Sequence, residues 1–344
     1  MDIKSSNKSM VFIDEIGEDL KGTLHRGLEF INWDRYIDKG SKVFVKPNFT
    51  YPFYKEGVTT NPELLKCLLE LLKSKTDTVM LGESDGGNNT WKPEQAFEGH
   101  NMYEICNEAG VELVNLSSLP SETIKDTILG RNVEVIIPKM LLEEIDCFIS
   151  VPVLKVHAMT ILSLSLKNLW GCDPDTMRVL RHQNLDYKLA LMAKLLKPKI
   201  VVIDGTYALN KHGPLDGEPV KLGLISVADN PVSADKLGAE IMGFSPDHIK
   251  HIVVAERAGL VPENNEVQTN KRWQQYRRQF QMKRTFLDRL NYYLPFKNDV
   301  IAKLVFSSRF TSLIYKIVAI LRTRREKKVA SDIGTGHEST KGYF

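Results

Sequence analysis

Between residues 41 and about 259, short runs of β-branched and aromatic residues alternate with longer stretches whose apolar positions recur at helical spacing. Lys42-Val43-Phe44-Val45-Lys46 stops at Pro47-Asn48, as a strand would. Asn61-Pro62-Glu63 reads as a helix start, with Asn as N-cap, Pro in the first turn and an acid at the positive end. Leu64, Leu65, Leu68, Leu69, Leu71 and Leu72 supply its apolar stripe. Thr78-Val79-Met80-Leu81 is the next strand and runs into Gly82-Glu83-Ser84-Asp85-Gly86-Gly87. A second helix ends at Ala109 before Gly110, followed by an extended stretch at 111–114. Residues 133–137 read as a strand and 139–144 as a short helix; Cys147-Phe148-Ile149-Ser150-Val151 is the apolar run of a strand covered on both faces. Residues 160–170 and 185–196 read as helices, Lys199-Ile200-Val201-Val202-Ile203 as a strand ending at Asp204-Gly205, and 222–227 as another. Asn230-Pro231 then caps a helix that stops at Gly243. The alternation predicts an α/β fold, a mostly parallel sheet with helices on both faces.

Composition changes this picture only at the ends. With 42% hydrophobic and 26% charged residues the chain matches ordinary globular proteins, which excludes collagen, coiled coil or disorder for most of its length. Net charge is +3, yet residues 267–328 hold sixteen Lys and Arg against three acids, a local +13 that leaves −10 for the rest. The pattern divides the chain into a lead-in at 1–40, an α/β domain at 41–262, a basic amphipathic helical segment at 263–329 and a disordered tail at 330–344. In the basic segment, Arg272-Trp273, Tyr276-Arg277-Arg278, Phe280 and Lys283-Arg284 interleave cations with aromatics. Beyond them Leu287, Leu290, Leu294, Ile301, Leu304 and Val305 recur at near-helical spacing. Lys303, Arg309 and Lys316 interrupt these runs, so a spanning helix is not expected; docking of 270–328 on an anionic membrane is, with packing on the domain as the alternative. No nucleic-acid motif accompanies the charge. Met1-Asp2-Ile3-Lys4 is no signal segment, so the expected place is the cytoplasm or the inner face of its membrane. Cys67, Cys106, Cys147 and Cys172 are far apart, with neither disulfide-framework nor zinc spacing.

In open α/β sheets ligands bind beyond the carboxyl ends of the strands. Five strand exits place Lys46-Pro47-Asn48, Glu83-Ser84, Lys155-Val156-His157, Asp204-Gly205 and Asp229-Asn230 at one edge. His157 titrates near neutrality and reads as the acid/base, held neutral by Lys155 two residues earlier. Asp204 ends a fully apolar strand and needs a partner, an ion pair with Lys167 or Lys155 being the structural expectation. Lys46, Lys155 and Lys167 together would trap a carboxylate or a phosphate. His212-Gly213-Pro214 lies in a turn-rich segment that would cover the site. Glu83, Asp85, His157 and Asp204 could offer metal ligands, but no H-x-x-x-H or D-x-D spacing supports a metal and the lysines oppose one. Neither G-x-G-x-x-G nor G-x-x-x-x-G-K-[ST] follows a strand, so a dinucleotide is not expected, and no cofactor is named by the sequence.

Taken in order, Lys46-Pro47-Asn48, Thr60-Asn61-Pro62, Gly82-Glu83-Ser84, Ile149-Ser150-Val151-Pro152-Val153-Leu154-Lys155-Val156-His157, Leu164-Ser165-Leu166-Lys167-Asn168, Asp204-Gly205, His212-Gly213-Pro214 and Asn230-Pro231-Val232-Ser233-Ala234-Asp235 closely resemble the bacterial and archaeal family called domain of unknown function 362. The resemblance runs from Val43 to Leu260 and implies an α/β protein with no generally assigned activity. Some members carry a ferredoxin-like Cys-rich insert that this chain lacks, so no iron–sulfur cluster carries over. The chain departs from the pattern at Val156, where Thr is usual, and at Asn230, where Asp is commoner, which would remove a hydroxyl and a carboxylate from the family's site.

The expected function is a cytosolic enzyme acting on a small anionic metabolite. His157, Lys155 and Asp204 would be its catalytic residues, and Lys46, Asn48, Glu83, Ser84, Lys167, Asn168 and His212 would bind substrate. A non-catalytic anion-binding or membrane-docked accessory protein is the alternative, and a redox protein the third reading. All depend on the three ammonium groups and the imidazole sharing one cavity.

Overall fold

The computed structural model describes residues 8–262, 266–284 and 301–303. In chain order the elements are β1 Lys8–Glu15, α1 Leu20–Phe30, β2 Lys42–Pro47, α2 Pro62–Lys75, β3 Thr78–Glu83, α3 Pro93–Gly99, α4 Met102–Ala109, β4 Glu112–Asn115, β5 Ser121–Ile128, β6 Arg131–Pro138, α5 Lys139–Glu143, β7 Cys147–Val151, β8 Val153–His157, β9 Ile161–Ser163, α6 Ser165–Asn168, α7 Leu185–Leu196, β10 Ile200–Asn210, β11 Glu218–Ala228, α8 Pro231–Ile241, α9 Lys250–Arg257 and β12 Glu266–Thr269. The main sheet runs β12-β1-β11-β10-β7-β2-β3-β4, with the short β8–β9 pair branching from β10. From β10 to β4 every pairing is parallel, whereas β11 is antiparallel to both of its neighbours. The architecture is the α/β fold with a mostly parallel sheet and helices on both faces that the periodicity predicts.

Alternate residues of the central strands face opposite layers, as the pleat requires. Val43, Val45, Ile149, Val151 and Val202 join Leu64 and Leu68 of α2 and Leu28 of α1 in one core. Phe44, Phe148, Val201 and Ile203 join Leu189 of α7, Leu237 of α8 and Ile252 of α9 in the other. Burial on both faces explains why these strands read as continuous apolar runs. Asn61 and Asn230 cap α2 and α8 through their side-chain carbonyls, and Gly110 takes the left-handed conformation after α4.

Several elements differ from expectation. The strand expected to end at Asp204-Gly205 runs on to Asn210, so Asp204 lies within β10. The lead-in supplies β1, whose Val11, Phe12 and Ile13 are buried between β11 and β12, so apolar residues on both faces make it an interior strand of the sheet. Residues 160–170 are not one helix: β9 pairs with β8, a single helical turn α6 follows, then a 3₁₀ turn. Leu162, Leu164 and Leu166 alternate with serines, which is the period of a strand. Residues 266–284, expected within a helical segment, form β12, a 3₁₀ turn and an extended stretch, because Tyr276 and Phe280 are buried against the domain. The apolar repeats beyond, apart from 301–303, and the tail expected to be disordered lie outside the described residues.

Candidate functional site

β2, β3 and β7 all end at one edge, and the chain leaving each turns over a cavity of roughly 130 Å³. β2 brings Lys46 and, just beyond its end, Asn48, Phe49 and Thr50; β3 brings Glu83. Pro152 separates β7 from β8, on which Lys155 and His157 stand two residues apart and so share a face. Ser163 of β9 lies directly opposite Lys155 in the antiparallel pair and lines the same cavity. α6 and the following turn add Lys167, Asn168, Trp170 and Gly171, and Arg178 and Pro214 help to close the walls. Two backbone approaches depend on glycine. A Cβ at Gly213 would stand 1.7 Å from the Val156 carbonyl oxygen, and one at Gly171 only 3.0 Å from Lys46 Nζ.

The three lysines share the cavity but differ in state. Lys46 Nζ donates to Glu83 Oε2 at 2.6 Å and to the Pro47 carbonyl at 2.8 Å, and both side chains are almost wholly buried. Glu83 also accepts from the backbone N–H of Phe49 and of Ser84, so its lone pairs are engaged. Lys155 Nζ donates to Asn48 Oδ1 at 2.6 Å, the Val58 carbonyl at 2.8 Å and Thr50 Oγ1 at 2.9 Å. Burial, with Lys167 and Lys46 nearby, holds its pKa well below the usual lysine range despite the opposing Glu83. Asn48 Nδ2 donates to Asn168 Oδ1, and Asn168 Nδ2 to the Lys46 carbonyl and Ser150 Oγ, so the two amides tie β2, β7 and α6 together.

Lys167 is the exception. Its side chain keeps an opening to the cavity although protein packs closely around it, and among the described residues no acceptor or carboxylate pairs with it. Burial first and the Arg178 guanidinium second lower its pKa to about 7. It is held in place from behind: Asp235 of α8 accepts the backbone N–H groups of Ser165 and Leu166 at 2.7 and 3.0 Å, fixing the turn that carries it. Arg178 spends Nη1 on the carbonyls of Asp173 and Asp175, while Asp173 itself pairs with both of its oxygens to Arg181. Ser163 Oγ and His157 Nε2 also have no protein partner among the described residues. Four basic side chains and a single, already paired carboxylate therefore face the cavity, which is rich in donors and poor in acceptors.

His157 corrects one expectation. Its Nδ1 accepts the Met159 N–H at 3.1 Å, so the neutral ring carries its proton on Nε2, and a proton on Nδ1 would confront another N–H. Burial, followed by Lys167, Lys155, His182 and His251, pushes its pKa well below the ordinary value. Such a ring is a fixed hydrogen-bond donor and a poor proton shuttle, whereas Lys167, lowered to about 7, lies near neutrality. Asp204 does not reach the lysines either. Its Oδ2 accepts the Asn61 N–H at 2.8 Å and its Oδ1 the N–H and hydroxyl of Thr206, so it pins the start of α2 to β10. Ser84 Oγ donates to the Gly171 carbonyl, and His212 Nδ1 meets the Lys283 carbonyl; neither residue lines the cavity. Nor do the two departures from the family pattern remove groups from it: Val156 packs in the core on the opposite face of β8, and Asn230 is a helix cap. Sequence reading missed Ser163, whose place follows from the leucine–serine alternation, and Thr50, two residues past the Lys-Pro-Asn exit. It also missed the aromatic walls Phe49, Trp91 and Trp170. Among the described residues no group of three or more His, Cys, Asp or Glu is placed to hold a metal ion.

Fold and cavity define an α/β protein with a cationic pocket at the carboxyl ends of its parallel strands. The chain belongs to the family described as Domain of unknown function (DUF362), whose pattern matches residues 43–240. A thylakoid-associated protein of Synechocystis sp. is 23% identical over 237 residues, 66% of this chain and 71% of the relative. Among solved structures, the lactate racemase apoprotein from Thermoanaerobacterium thermosaccharolyticum is similar with a TM-score of 0.45 and 16% identity, over 70% of this chain and 59% of that one. A protein from Thermotoga maritima has a TM-score of 0.35 and 13% identity, over 71% of this chain and 59% of its own. This chain thus spans less than two thirds of either solved chain, and neither bears on the chemistry of the cavity. No helix among the described residues is long and apolar enough to cross a membrane.

Proposed function

We propose that this protein is an enzyme acting on a small carboxylate or phosphate metabolite held in the cavity. The observation that carries the proposal is the unpaired Lys167 amine in a pocket of donors. Arg178 and the Lys167 ammonium supply charge to the anion, and His157 Nε2–H and Ser163 Oγ–H supply neutral hydrogen bonds. Lys46–Glu83 and Lys155 are already saturated and hold the walls. Lys167, titrating at about 7, is the proton-transfer group, since a catalytic pKa near ambient pH serves both donation and acceptance.

Thermal unfolding with phosphate, oxalate and pyruvate tests this. A ligand at a hundred times its Kd stabilises the native state by about 2.7 kcal/mol. The expected result is a rise in melting temperature that shrinks in Lys167→Gln and Arg178→Gln. Anion affinity should fall as pH rises through about 7, where Lys167 loses its charge, and that dependence should vanish in Lys167→Gln. No stabilisation by any of the three anions would overturn the proposal.

A second reading, an accessory role at an anionic membrane, is favoured by the +13 segment and by the thylakoid association of the Synechocystis relative.

A further inference from the structure

We infer that Lys167 is a nucleophile that forms an imine with the carbonyl carbon of a 2-oxo acid, the carboxylate of which Arg178 receives. This inference rests on the anion-binding reading and narrows its substrate class to anions that carry a carbonyl group.

The argument is one of elimination among the amines that face the cavity. A lysine can attack a carbonyl only if its nitrogen is sterically free, not tied by hydrogen bonds, and able to shed its proton at working pH. Lys46 fails, because Nζ is tied by hydrogen bonds to Glu83 Oε2 and the Pro47 carbonyl. Lys155 fails, because three acceptors surround its nitrogen at 2.6 to 2.9 Å and leave no direction of approach. Lys167 meets all three conditions: it opens to the cavity, has no acceptor among the described residues, and has the Arg178 cation beside it. α6 is anchored by Asp235 on its backbone, so the side chain is presented from a fixed base.

The remaining lining suits the rest of such a substrate. Arg178 has Nε and Nη2 without a protein partner among the described residues and can donate to a carboxylate in the bidentate fashion that a guanidinium favours. Ser163 Oγ–H and His157 Nε2–H are donors for the carbonyl oxygen as it takes on negative charge. The balance is simple. The lone pair of neutral Nζ forms the C–N bond, the carbonyl π pair moves to oxygen, and the two hydrogens of the amine leave with that oxygen as water. No oxidant, reductant or further reactant is needed. Protonation of the imine from solvent then restores a cation beside the bound carboxylate.

The experiment is reductive trapping. The full chain is incubated with pyruvate and sodium borohydride, and intact mass and peptide mapping are compared with oxalate as a dianion that cannot form an imine. One reduced pyruvyl group on Lys167, blocked by excess oxalate and absent in Lys167→Arg and Lys167→Gln, is the expected outcome. Trapping should increase as pH rises through about 7 while oxalate binding weakens, because the amine and the ammonium serve opposite ends of the two processes. Stabilisation by oxalate and pyruvate with no adduct, or an adduct spread over surface lysines and undiminished in Lys167→Arg, overturns the imine and leaves anion binding standing. No stabilisation by either compound overturns anion binding itself.

Discussion

A buried charged residue is informative through what it touches. Lys46 and Glu83 form a closed pair, so removing one partner strands the other in the interior. Lys46→Met should destabilise the fold by about 3–5 kcal/mol, and Lys46→Met with Glu83→Leu should recover much of that, read by denaturant unfolding of the two singles and the double. His251 of α9 poses the opposite case, a ring buried with neither nitrogen hydrogen-bonded. Burial first, then Lys167, lowers its pKa to about 3. Between that value and the unfolded value near 6.5 the unfolded chain binds the proton that the native state refuses, so its contribution to stability, full above 6.5, is lost as pH falls. At pH 5 the loss amounts to about 2 kcal/mol at ~1.4 kcal/mol per pH unit. His251→Phe should therefore flatten the fall in stability between pH 7 and pH 5, whatever it does to stability at pH 7; an unchanged slope would show that this ring does not titrate on unfolding.

At the scale of elements, what could be read from sequence was set by how many faces each element buries. β2, β7 and β10 bury both, so their apolar runs are unmistakable, and their ends give Lys46, Asn48 and Lys155 directly. β9 has three residues, too few for a periodic signal, and its leucine alternation was absorbed into a helix that the structure breaks at Ser165. Residue type could not separate Asp204 from Glu83, both carboxylates that read as strand exits although β10 runs on past Asp204 to Asn210; only the nearest donors do, Thr206 and Asn61 for one and Lys46 for the other. The same limit hid the difference among the lysines. Asn230 shows how a cap can carry a second duty: Oδ1 accepts the N–H groups of Val232 and Ser233 while Nδ2 donates to the Leu260 carbonyl after α9. Asn230→Ala should cost about 1 kcal/mol for the cap, whereas Asn230→Asp keeps the cap and loses the tie to Leu260. Hydrogen exchange at residues 258–262 should accordingly quicken in both variants, and helix α8 should fray only in the first.

The whole molecule joins the cavity to its basic end. The described chain runs from β12 along α8 and back to the cavity's edge: Arg278 and Phe280 donate backbone N–H to the carbonyls of Ile241 and Met242, Lys283 to that of Lys211, and Arg284 Nε reaches the carbonyl of Ala158, next to His157. Arg284 thus lies beside the pocket, and in sequence residues 285 to 328 carry ten Lys and Arg against three acids. Each cation near an anionic surface contributes about 1 kcal/mol, and the attraction decays within a Debye length. Full-length protein should sediment with vesicles containing phosphatidylserine at low salt and be released at high salt, and a chain ending at Arg284, which retains the docked strap, should stay in the supernatant. Equal sedimentation of the two forms would remove the membrane from the account. Equal anion affinity in the two would show in addition that the pocket needs only the strap and not the stretch beyond it.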